Sequence, residues 1–442
     1  MPNELKVGTR RVGDFIDFYP DTPEVKVTLE RSERGINVTL PWSDPESPYA
    51  QWFTAGRGRE QNSAGPEPLP APRRVLFYDS HGSVLLIRCW PRGFHSNMLG
   101  PGTGRLWAHA AIMGVRENLE FERPHGMQTE ISGLRAWLGI TSWQETASWG
   151  TGAYSASLTS QSVSTIEVGE INGMTLSFQP NWQLVPEEDH DRRVVLDLLR
   201  VVTRSAEPLD WDRHLDVHRA IRDLLVLSRW HEESCVVVFA LRSDDPIRTI
   251  DNKEHGEQWR AVIVAKEDRA SSLSRHRQHL VQYDELQVHG IARWLRIRDE
   301  FARALDPVVS SIELRGTTAN TLLAHTGPGL EALGYLLMLR DCASEKSAAR
   351  ANLRSRFDRI LKDVGDVLPF EGSTWANETV AAYNGLKHAN RAEPAAVDVL
   401  NLWRESVMVV RAWVALELGV PFNEVKERLA ADPQGNGYIK VE

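Results

Sequence analysis

The hydrophobic period of the chain changes near residue 288. Before that point, apolar residues alternate or form short runs between glycine, proline, aspartate and serine, which is typical of β-strands. After it, they recur every three or four positions, as on one face of an α-helix. The clearest case is AVDVLNLWRESVMVVRAWVALELG, whose apolar face runs from Val397 to Leu418 and stops at Gly419 and Pro421. The sequence therefore predicts an α+β fold: a large β-rich, β-sandwich-like N-terminal region followed by an all-α helical bundle.

Turn signals and composition shifts divide the β-rich region further. The sequence DSHG at residues 79–82 and the pair Asn172-Gly173 each predict a hairpin between apolar strands. A stretch rich in serine, threonine and glycine at residues 145–160 suits a boundary. We therefore predict a β-rich domain at 1–150, a second β-rich or mixed subdomain at 151–290 and a helical bundle at 291–442.

Composition excludes several classes of protein. A chain of 442 residues is too long for one ordinary core, and its 42% hydrophobic and 25% charged residues match a globular protein. The net charge of -9 argues against a general polyanion binder but leaves room for local basic patches. No apolar run is long enough to cross a bilayer, so we expect a cytoplasmic protein with no membrane partner. Cys89, Cys235 and Cys342 lie far apart in apolar segments, which predicts buried free thiols.

Three local patterns lead to structural predictions. The glycines of GPGTGRLW, residues 100–107, lack the lysine of a phosphate loop, so we predict an ordinary loop. His214 and His218 have the spacing of metal ligands on a helix but lack the glutamate of HExxH, which favours a structural pair. Pro328 is predicted to open the helix GPGLEALGYLLMLRD, because a proline in the first turn loses no hydrogen bond.

The segment YNGLKHANR, residues 383–391, is the strongest candidate for chemistry. On a helix, Asn377, Asn384, His388 and Arg391 share one stripe and Lys387 is adjacent, while Pro394 follows shortly after. A histidine beside a cation and an amide suits metal-free RNA cleavage, in which the histidine moves a proton and the others hold phosphate oxygens. The alternative is that His388 only caps the helix or borders the core.

A run of basic residues precedes this segment. Residues 350–362 contain five cations and one acid, and helical spacing places Arg350 and Arg354 together. The plain interpretation is a solvated outer face. The functional one is a strip that contacts phosphates beside an RNA site.

Several segments together resemble the ApeA family of bacterial anti-phage proteins, which join an ApeA N-terminal domain to a C-terminal HEPN domain. The segments are GDFIDFYPDTPEVKVTLE, GINVTLP, GRLWAHAAIMGV, ISGLRAWLG and, in the helical part, NGLKH. HEPN nucleases carry an arginine, a polar residue and a histidine in the pattern R-x4–6-H. Asn384 matches the polar residue and His388 the histidine, but the positions where the arginine is expected hold Tyr383, Ala382 or Ala381, none of them basic.

The resemblance implies an abortive-infection defence protein with a metal-independent endoribonuclease. It assigns catalysis to His388, Asn384 and Lys387, and RNA binding to a second set: Arg391, Arg350 and Arg354. It implies no metal and no cofactor, RNA as substrate (tRNA by family analogy alone), and a homodimer formed through the bundle with a site shared by both copies. The N-terminal region would sense a trigger such as a phage component.

The absent arginine leaves two interpretations open. Lys387 or Arg391 supplies the positive charge, since a phosphate oxygen accepts either cation. Alternatively, the bundle is a degenerate HEPN module that only dimerises or binds, while the β-rich region recognises a ligand or phage component. The sequence favours an enzyme without settling the matter.

Overall fold

The computed structural model describes residues 3–20, 22–44, 46–54, 70–97, 101–150, 153–160, 163–187, 192–265 and 278–438. In chain order, its strands are β1 (Arg10–Ile16), β2 (Val27–Ser32), β3 (Gly35–Trp42), β4 (Arg74–Asp79), β5 (Gly82–Ile87), β6 (Trp90–Ser96), β7 (Gly102–Ala108), β8 (Ala110–Met113), β9 (Gly126–Ile131), β10 (Trp143–Gly150), β11 (Ala153–Ser160), β12 (Ile166–Ile171), β13 (Met174–Glu187), β14 (Arg192–Arg204), β15 (Cys235–Leu241) and β16 (Trp259–Val264). Its α-helices are α1 (Pro48–Thr54), α2 (Leu134–Leu138), α3 (Trp211–Arg229), α4 (Tyr283–Glu300), α5 (Ala302–Glu313), α6 (Ala319–Arg340), α7 (Glu345–Arg350), α8 (Leu353–Val364), α9 (Gly372–Lys387), α10 (Ala396–Glu417) and α11 (Phe422–Ala431).

The strands confirm the predicted β-rich N-terminal region, and the helices α4 to α11 confirm the helical C-terminal region. Of the described strands, fourteen form one sheet in the order β12-β13-β14-β9-β15-β16-β8-β5-β4-β1-β2-β3-β7-β6, while β10 and β11 form a separate two-stranded sheet. The pairings between the described strands are antiparallel. Strands from both sides of residue 150 lie in this sheet; the proposed division at residues 150 and 290 remains a prediction.

Both predicted hairpins are present. β4 and β5 pair around Ser80 and His81, and β12 and β13 pair around Asn172 and Gly173. Asn172 and Gly173 have φ angles of 53° and 79°, the left-handed values that the tight two-residue turn requires. The sequence signal was local, so it could be recognised without knowledge of the fold.

The helical region packs directly on one end of the sheet. Leu176, Phe178 and Val201 of β13 and β14 share an apolar core with α3 and with the helices that follow. The indole N–H of Trp294 in α4 donates to the carbonyl of Ala220 in α3 at 2.7 Å. Each large apolar side chain buried in such a core stabilises the fold by about 1.5–3 kcal/mol.

α10 is the central helix of the C-terminal region. Its residues from Ser406 to Ala415 are buried on every side, and the helix ends at Glu417, before Gly419 with φ 89°. The predicted stop at Gly419 is therefore confirmed. Among the described residues, no helix is long and apolar enough to cross a membrane.

Three local predictions were wrong. The helix expected to open at Pro328 begins nine residues earlier: Thr318 caps it, its hydroxyl accepting from the Thr321 N–H at 3.3 Å, and Pro328 lies inside α6. At the neighbouring Gly329, α6 packs closely on α5: a Cβ there would stand 2.6 Å from the carbonyl oxygen of Ala304. Close helix packing thus outweighs the cost of about 3 kcal/mol of an internal proline.

The second correction concerns residues 100–107, which were predicted as a loop. From Gly102 onward they form strand β7. Cβ atoms on Gly102 and Gly104 would lie 2.5 Å from the ring of Trp42 and 2.1 Å from that of Phe53, so these glycines make room for aromatic rings. The third concerns Cys342, which is exposed just after α6, whereas Cys89 is buried and Cys235 is partly buried. None of these three cysteines forms a disulfide bond, as predicted.

Candidate active site

Helix α9 ends earlier than the sequence predicts. The His388 N–H still donates to the Asn384 carbonyl at 3.1 Å, but the backbone of His388 is extended, with φ −125° and ψ 107°. The Arg391 N–H then bonds the His388 carbonyl at 3.0 Å in a turn. The physical reason is the returning chain, since a Cβ on Gly385 would stand 2.9 Å from the carbonyl oxygen of Ala392.

This early end separates the predicted stripe into two groups. Asn384, Lys387 and His388 lie together in the last turn of α9 and its cap, whereas Arg391 lies beyond the helix. The side chain of His388 is exposed, and its imidazole forms no hydrogen bond, ion pair or ring contact with a described residue. An exposed imidazole at a helix end is free to meet a substrate.

Tyr383, one of the three positions at which the R-x4–6-H pattern allows the arginine, is a core residue. Its ring is buried and lies where a Cβ on Gly327 of α6 would be only 2.3 Å away. Burial, and then the charge of Glu331, raise the pKa of its hydroxyl, which keeps the side chain neutral. The ammonium of Lys387 lies 4.5 Å from the centre of this ring, in a cation–π contact. A positive charge therefore lies directly beside the arginine position.

An ion pair that the sequence analysis missed lies near Tyr383. The Arg356 guanidinium donates to the Glu331 carboxylate at 2.5 Å, and its centre is 5.7 Å from the ring of Tyr335. Arg356 also donates to the backbone carbonyls of Ala348 and Ala349 at the end of α7. No sequence signal joins these residues, because Glu331 belongs to α6 and Arg356 to α8.

Arg354 lies away from His388 within one chain. Arg354 donates to Asp358 at 2.9 Å and also bonds the amide oxygen of Asn377. Asn377 precedes His388 by eleven residues, which is about 16 Å along a helix. Arg350 is exposed at the end of α7. One copy of the chain therefore does not bring Arg354 to the histidine.

Arg391 borders a separate cleft of about 440 Å³ between the start of α6 and the turn after α9. Its other lining residues are Asn320, Thr321, Ala324, Gly385, Leu386, Ala389 and Glu393. The Asn320 amide donates to the Glu393 carboxylate at 3.0 Å, which ties the turn to α6. Arg391 is thus positioned beside an open cleft rather than on the stripe of His388.

A carboxyl group with an altered pKa faces α9 from α10. Burial, and then the nearby charge of Glu378, raise the pKa of Glu405 to about 7. Sequence reasoning missed it because the two carboxylates come from different helices. Glu378 precedes His388 by ten residues, about 15 Å along α9, so this pair lies apart from the histidine.

His214 and His218 form a buried structural pair. A chain of hydrogen bonds joins the Pro124 carbonyl, His214, the Thr203 hydroxyl, His218 and the Thr129 hydroxyl, with lengths of 3.2, 2.9, 2.8 and 2.6 Å. A carbonyl only accepts, so His214 carries its proton on Nε2, and the remaining bonds then place the proton of His218 on Nε2 as well. Burial lowers the pKa of His214 to about 4 and of His218 to about 3, so both are neutral.

The described residues contain no group of three His, Cys, Asp or Glu side chains arranged to hold a metal ion. The interpretation of the α3 histidines as structural rests on their hydrogen bonds to Thr129 and Thr203 of the sheet and to the Pro124 carbonyl.

The sequence model of the family described as ApeA N-terminal domain 1 matches residues 15–289. The match covers more than half of the 442 residues, begins in β1 and ends within α4. Comparison with curated proteins and with solved structures gives no match.

Proposed function

The chain belongs to the ApeA N-terminal domain 1 family, and we propose that it is an anti-phage defence protein with a HEPN-type endoribonuclease in its helical region. The nuclease acts without a metal ion, and the N-terminal region controls it by sensing infection. One observation carries the proposal: His388 stands exposed at the abrupt end of α9, beside Lys387 and in the same turn as Asn384. A solvated histidine, a cation and an amide at one helix end form the set that phosphodiester cleavage needs.

The chemistry is general acid–base transfer at the ribose. His388 takes the proton of the 2′-hydroxyl, whose oxygen attacks the neighbouring phosphorus. The bond from phosphorus to the 5′-oxygen breaks, and that oxygen receives a proton. Lys387 and Asn384 bind the phosphate oxygens, where negative charge grows in the transition state. The products are a 2′,3′-cyclic phosphate and a 5′-hydroxyl.

A two-fold homodimer provides the second proton-transfer group. When the ends of two α9 helices face each other, His388 acts as base and His388 of the partner subunit as acid. The same arrangement brings the arginines of one copy toward the site of the other. Arg391, Arg350 and Arg354 then serve as contacts for the RNA backbone, with cellular RNA as the substrate.

A second candidate function follows from Tyr383. A buried, neutral tyrosine at the arginine position favours a degenerate HEPN module that dimerises or binds without cutting. The β-rich region would then recognise a ligand or a phage component. Lys387 distinguishes the two functions. Its ammonium lies over the Tyr383 ring, and it replaces the missing arginine only if it binds the RNA phosphate during cleavage.

The test is RNA cleavage by the purified full-length protein in the presence of EDTA. We expect His388→Ala to reduce cleavage by about 10²- to 10⁴-fold, the range for loss of a general acid–base group. His289→Ala, which removes an exposed histidine of α4, is the matched control and keeps full activity. Light scattering should find both variants in the same oligomeric state as the wild type. Equal cleavage by His388→Ala overturns the proposal; dimers of wild type that never cleave RNA support the degenerate module.

A further inference from the structure

A basic and aromatic surface lies on the sheet, far along the chain from α9. We call it the β6–β7 face, and it consists of Arg34, Trp90, Arg92, Arg105 and Trp107. In β7 the side chains alternate, so that Arg105 is exposed while its neighbour Leu106 is buried. β6 is exposed along its whole length and forms the edge of the fourteen-stranded sheet. The pairing places Trp107 opposite Trp90 on the outer side.

The two tryptophans of the β6–β7 face form a stack. Their ring centres are 4.1 Å apart with the planes inclined by 34°, and Trp90 remains 42% exposed. Gly35 makes room for the inner ring: its φ is 126°, and a Cβ there would stand 2.5 Å from the indole nitrogen of Trp107. Trp107 is therefore the inner ring that supports the stack, and Trp90 exposes ring surface to solvent.

Three arginines surround a pocket beside this stack. The pocket has a volume of about 380 Å³, and its lining residues are Glu30, Ser32, Arg34, Asn37, Arg92 and Arg105. All three arginines are exposed, and none forms an ion pair with a residue in the described part of the chain. By contrast, Arg11 and Arg260 elsewhere on the same sheet are paired with aspartates. The Arg92 guanidinium lies over the Trp107 ring, 5.5 Å from its centre, and no carboxylate among the described residues neutralises it there. Like charges that converge without carboxylate partners repel each other, and an anion relieves that repulsion.

We propose that the β6–β7 face binds single-stranded nucleic acid. A base stacks on the open side of Trp90, and the adjoining phosphates lie among Arg34, Arg92 and Arg105. Exposed aromatic rings on a sheet, bordered by cations, recognise single strands because unpaired bases can stack while their phosphates meet the cations. A duplex keeps its bases inside and cannot use Trp90. The net charge of -9 makes this face a local site rather than part of a generally basic surface.

The site is independent of the proposed nuclease, because it uses no residue near α9. It gives the β-rich region a ligand of defined chemistry: an unpaired strand with at least one accessible base and two or three phosphates. Glu30, the single acid of the pocket, would repel a phosphate at one side and so limit where the backbone passes.

The experiment measures fluorescence anisotropy with a labelled single strand of about 12 nucleotides, as RNA and as DNA of the same sequence. The protein is the full chain carrying His388→Ala, so that cleavage does not disturb the reading. We expect Trp90→Ala to weaken binding about tenfold or more, and Trp90→Phe, which keeps a ring, to change it less than about threefold. Trp182→Ala is the matched control, because Trp182 is 44% exposed on another part of the sheet.

The arginines are tested through salt. For single strands the logarithm of the binding constant falls with the logarithm of salt concentration by about 0.7 per phosphate contact. Arg34→Ala, Arg92→Ala and Arg105→Ala should each reduce that slope by about 0.7, whereas Arg303→Ala, an exposed arginine of α5, should leave it unchanged. Thermal melting checks that each variant is folded.

Binding of either oligonucleotide with these losses supports the proposal. The proposal is overturned if neither strand binds at about 100 µM, or if Trp90→Ala and Trp90→Phe both behave like the Trp182→Ala control. It is also overturned if a free mononucleotide binds as tightly as the oligonucleotide, which would make this a small-molecule site. Since cleavage by the wild type is measured separately, failure here leaves the nuclease proposal intact, and the reverse also holds.

Discussion

The histidines of α3 and the histidine after α9 have opposite environments, although each belongs to a pattern that catalytic or metal sites use. His214 and His218 are completely buried, and every ring nitrogen has a hydrogen-bond partner. His388 is exposed, and its ring has no hydrogen bond or ion pair with a residue in the described part of the chain. The residue spacing does not distinguish these cases. Burial and hydrogen bonding do, and they assign structure to the first pair and chemistry to His388.

The same contrast is found in both regions of the molecule. In the β-rich region, the α3 histidines fasten a helix to the threonines of β9 and β14. In the helical region, the buried Arg411 of α10 donates to the backbone carbonyls of Leu227 and Ser228, whereas the polar end of α9 is left in solvent. A polar group used for stability is enclosed, whereas one available for a substrate is open.

The largest expected effect tests the structural role of the buried α3 histidines. His218→Ala should lower the free energy of unfolding by about 3 kcal/mol, because it leaves a cavity and removes the partner of the Thr129 and Thr203 hydroxyls. Urea denaturation measures the loss. The exposed His289→Ala should change stability by less than about 0.5 kcal/mol. A similar small effect of His218→Ala would break the comparison.

The next effect tests which cation replaces the arginine. Lys387→Met keeps the length of the side chain but removes the charge beside Tyr383, so we expect RNA cleavage to fall about 30-fold. Lys387→Arg, which keeps the charge, should retain most activity. Arg391→Met should cost less than about threefold, because Arg391 lies beyond the helix end beside another cleft. Cleavage rates measured in EDTA show which cation replaces the arginine. A larger loss for Arg391→Met than for Lys387→Met would assign that role to Arg391.

The last prediction concerns acid. Burial lowers the pKa of His214 to about 4 and that of His218 to about 3. Both values are below 6.5, the ordinary histidine pKa, which holds in the unfolded chain. The unfolded chain therefore binds protons first as the pH falls below about 6.5, and stability that is present above this pH is lost down to about pH 4. Each histidine contributes a slope of about 1.4 kcal/mol per pH unit within this window.

Urea denaturation between pH 7 and pH 5 measures this slope. His218→Gln, which removes one titrating group from the buried chain of hydrogen bonds, should reduce the slope relative to the wild type. An unchanged slope would show that the buried histidine pair is not what makes the fold sensitive to acid. It would contradict the claim that burial keeps these two histidines neutral.

Local sequence signals predicted the features that depend on local chemistry. The Asn172-Gly173 turn, the stop of α10 at Gly419 and the division into a β-rich and a helical region all follow from turn residues and hydrophobic period. The end of α9 does not, because it depends on Ala392 packing against Gly385. Pro328 was misplaced for the same kind of reason, since Gly329 meets α5 across a tertiary contact.

The candidate site was predicted in part. The segment YNGLKHANR identified which polar residues fall at one helix end, and Asn384, Lys387 and His388 are together there. The sequence had no means of showing that Tyr383 is buried against Gly327, that Lys387 lies over its ring, or that Arg354 is bonded to Asn377. Each of these facts comes from contacts between helices that are distant along the chain.

The chemical ends of the cleaved RNA test the central claim most directly. Acid–base transfer at the 2′-hydroxyl by His388 predicts 2′,3′-cyclic phosphate and 5′-hydroxyl ends, formed by the wild type in EDTA and lost in His388→Ala. A substrate with 2′-deoxyribose at the cleavage position should resist cutting. Fragments with 3′-hydroxyl and 5′-phosphate ends, or undiminished cleavage by His388→Ala, would contradict the account.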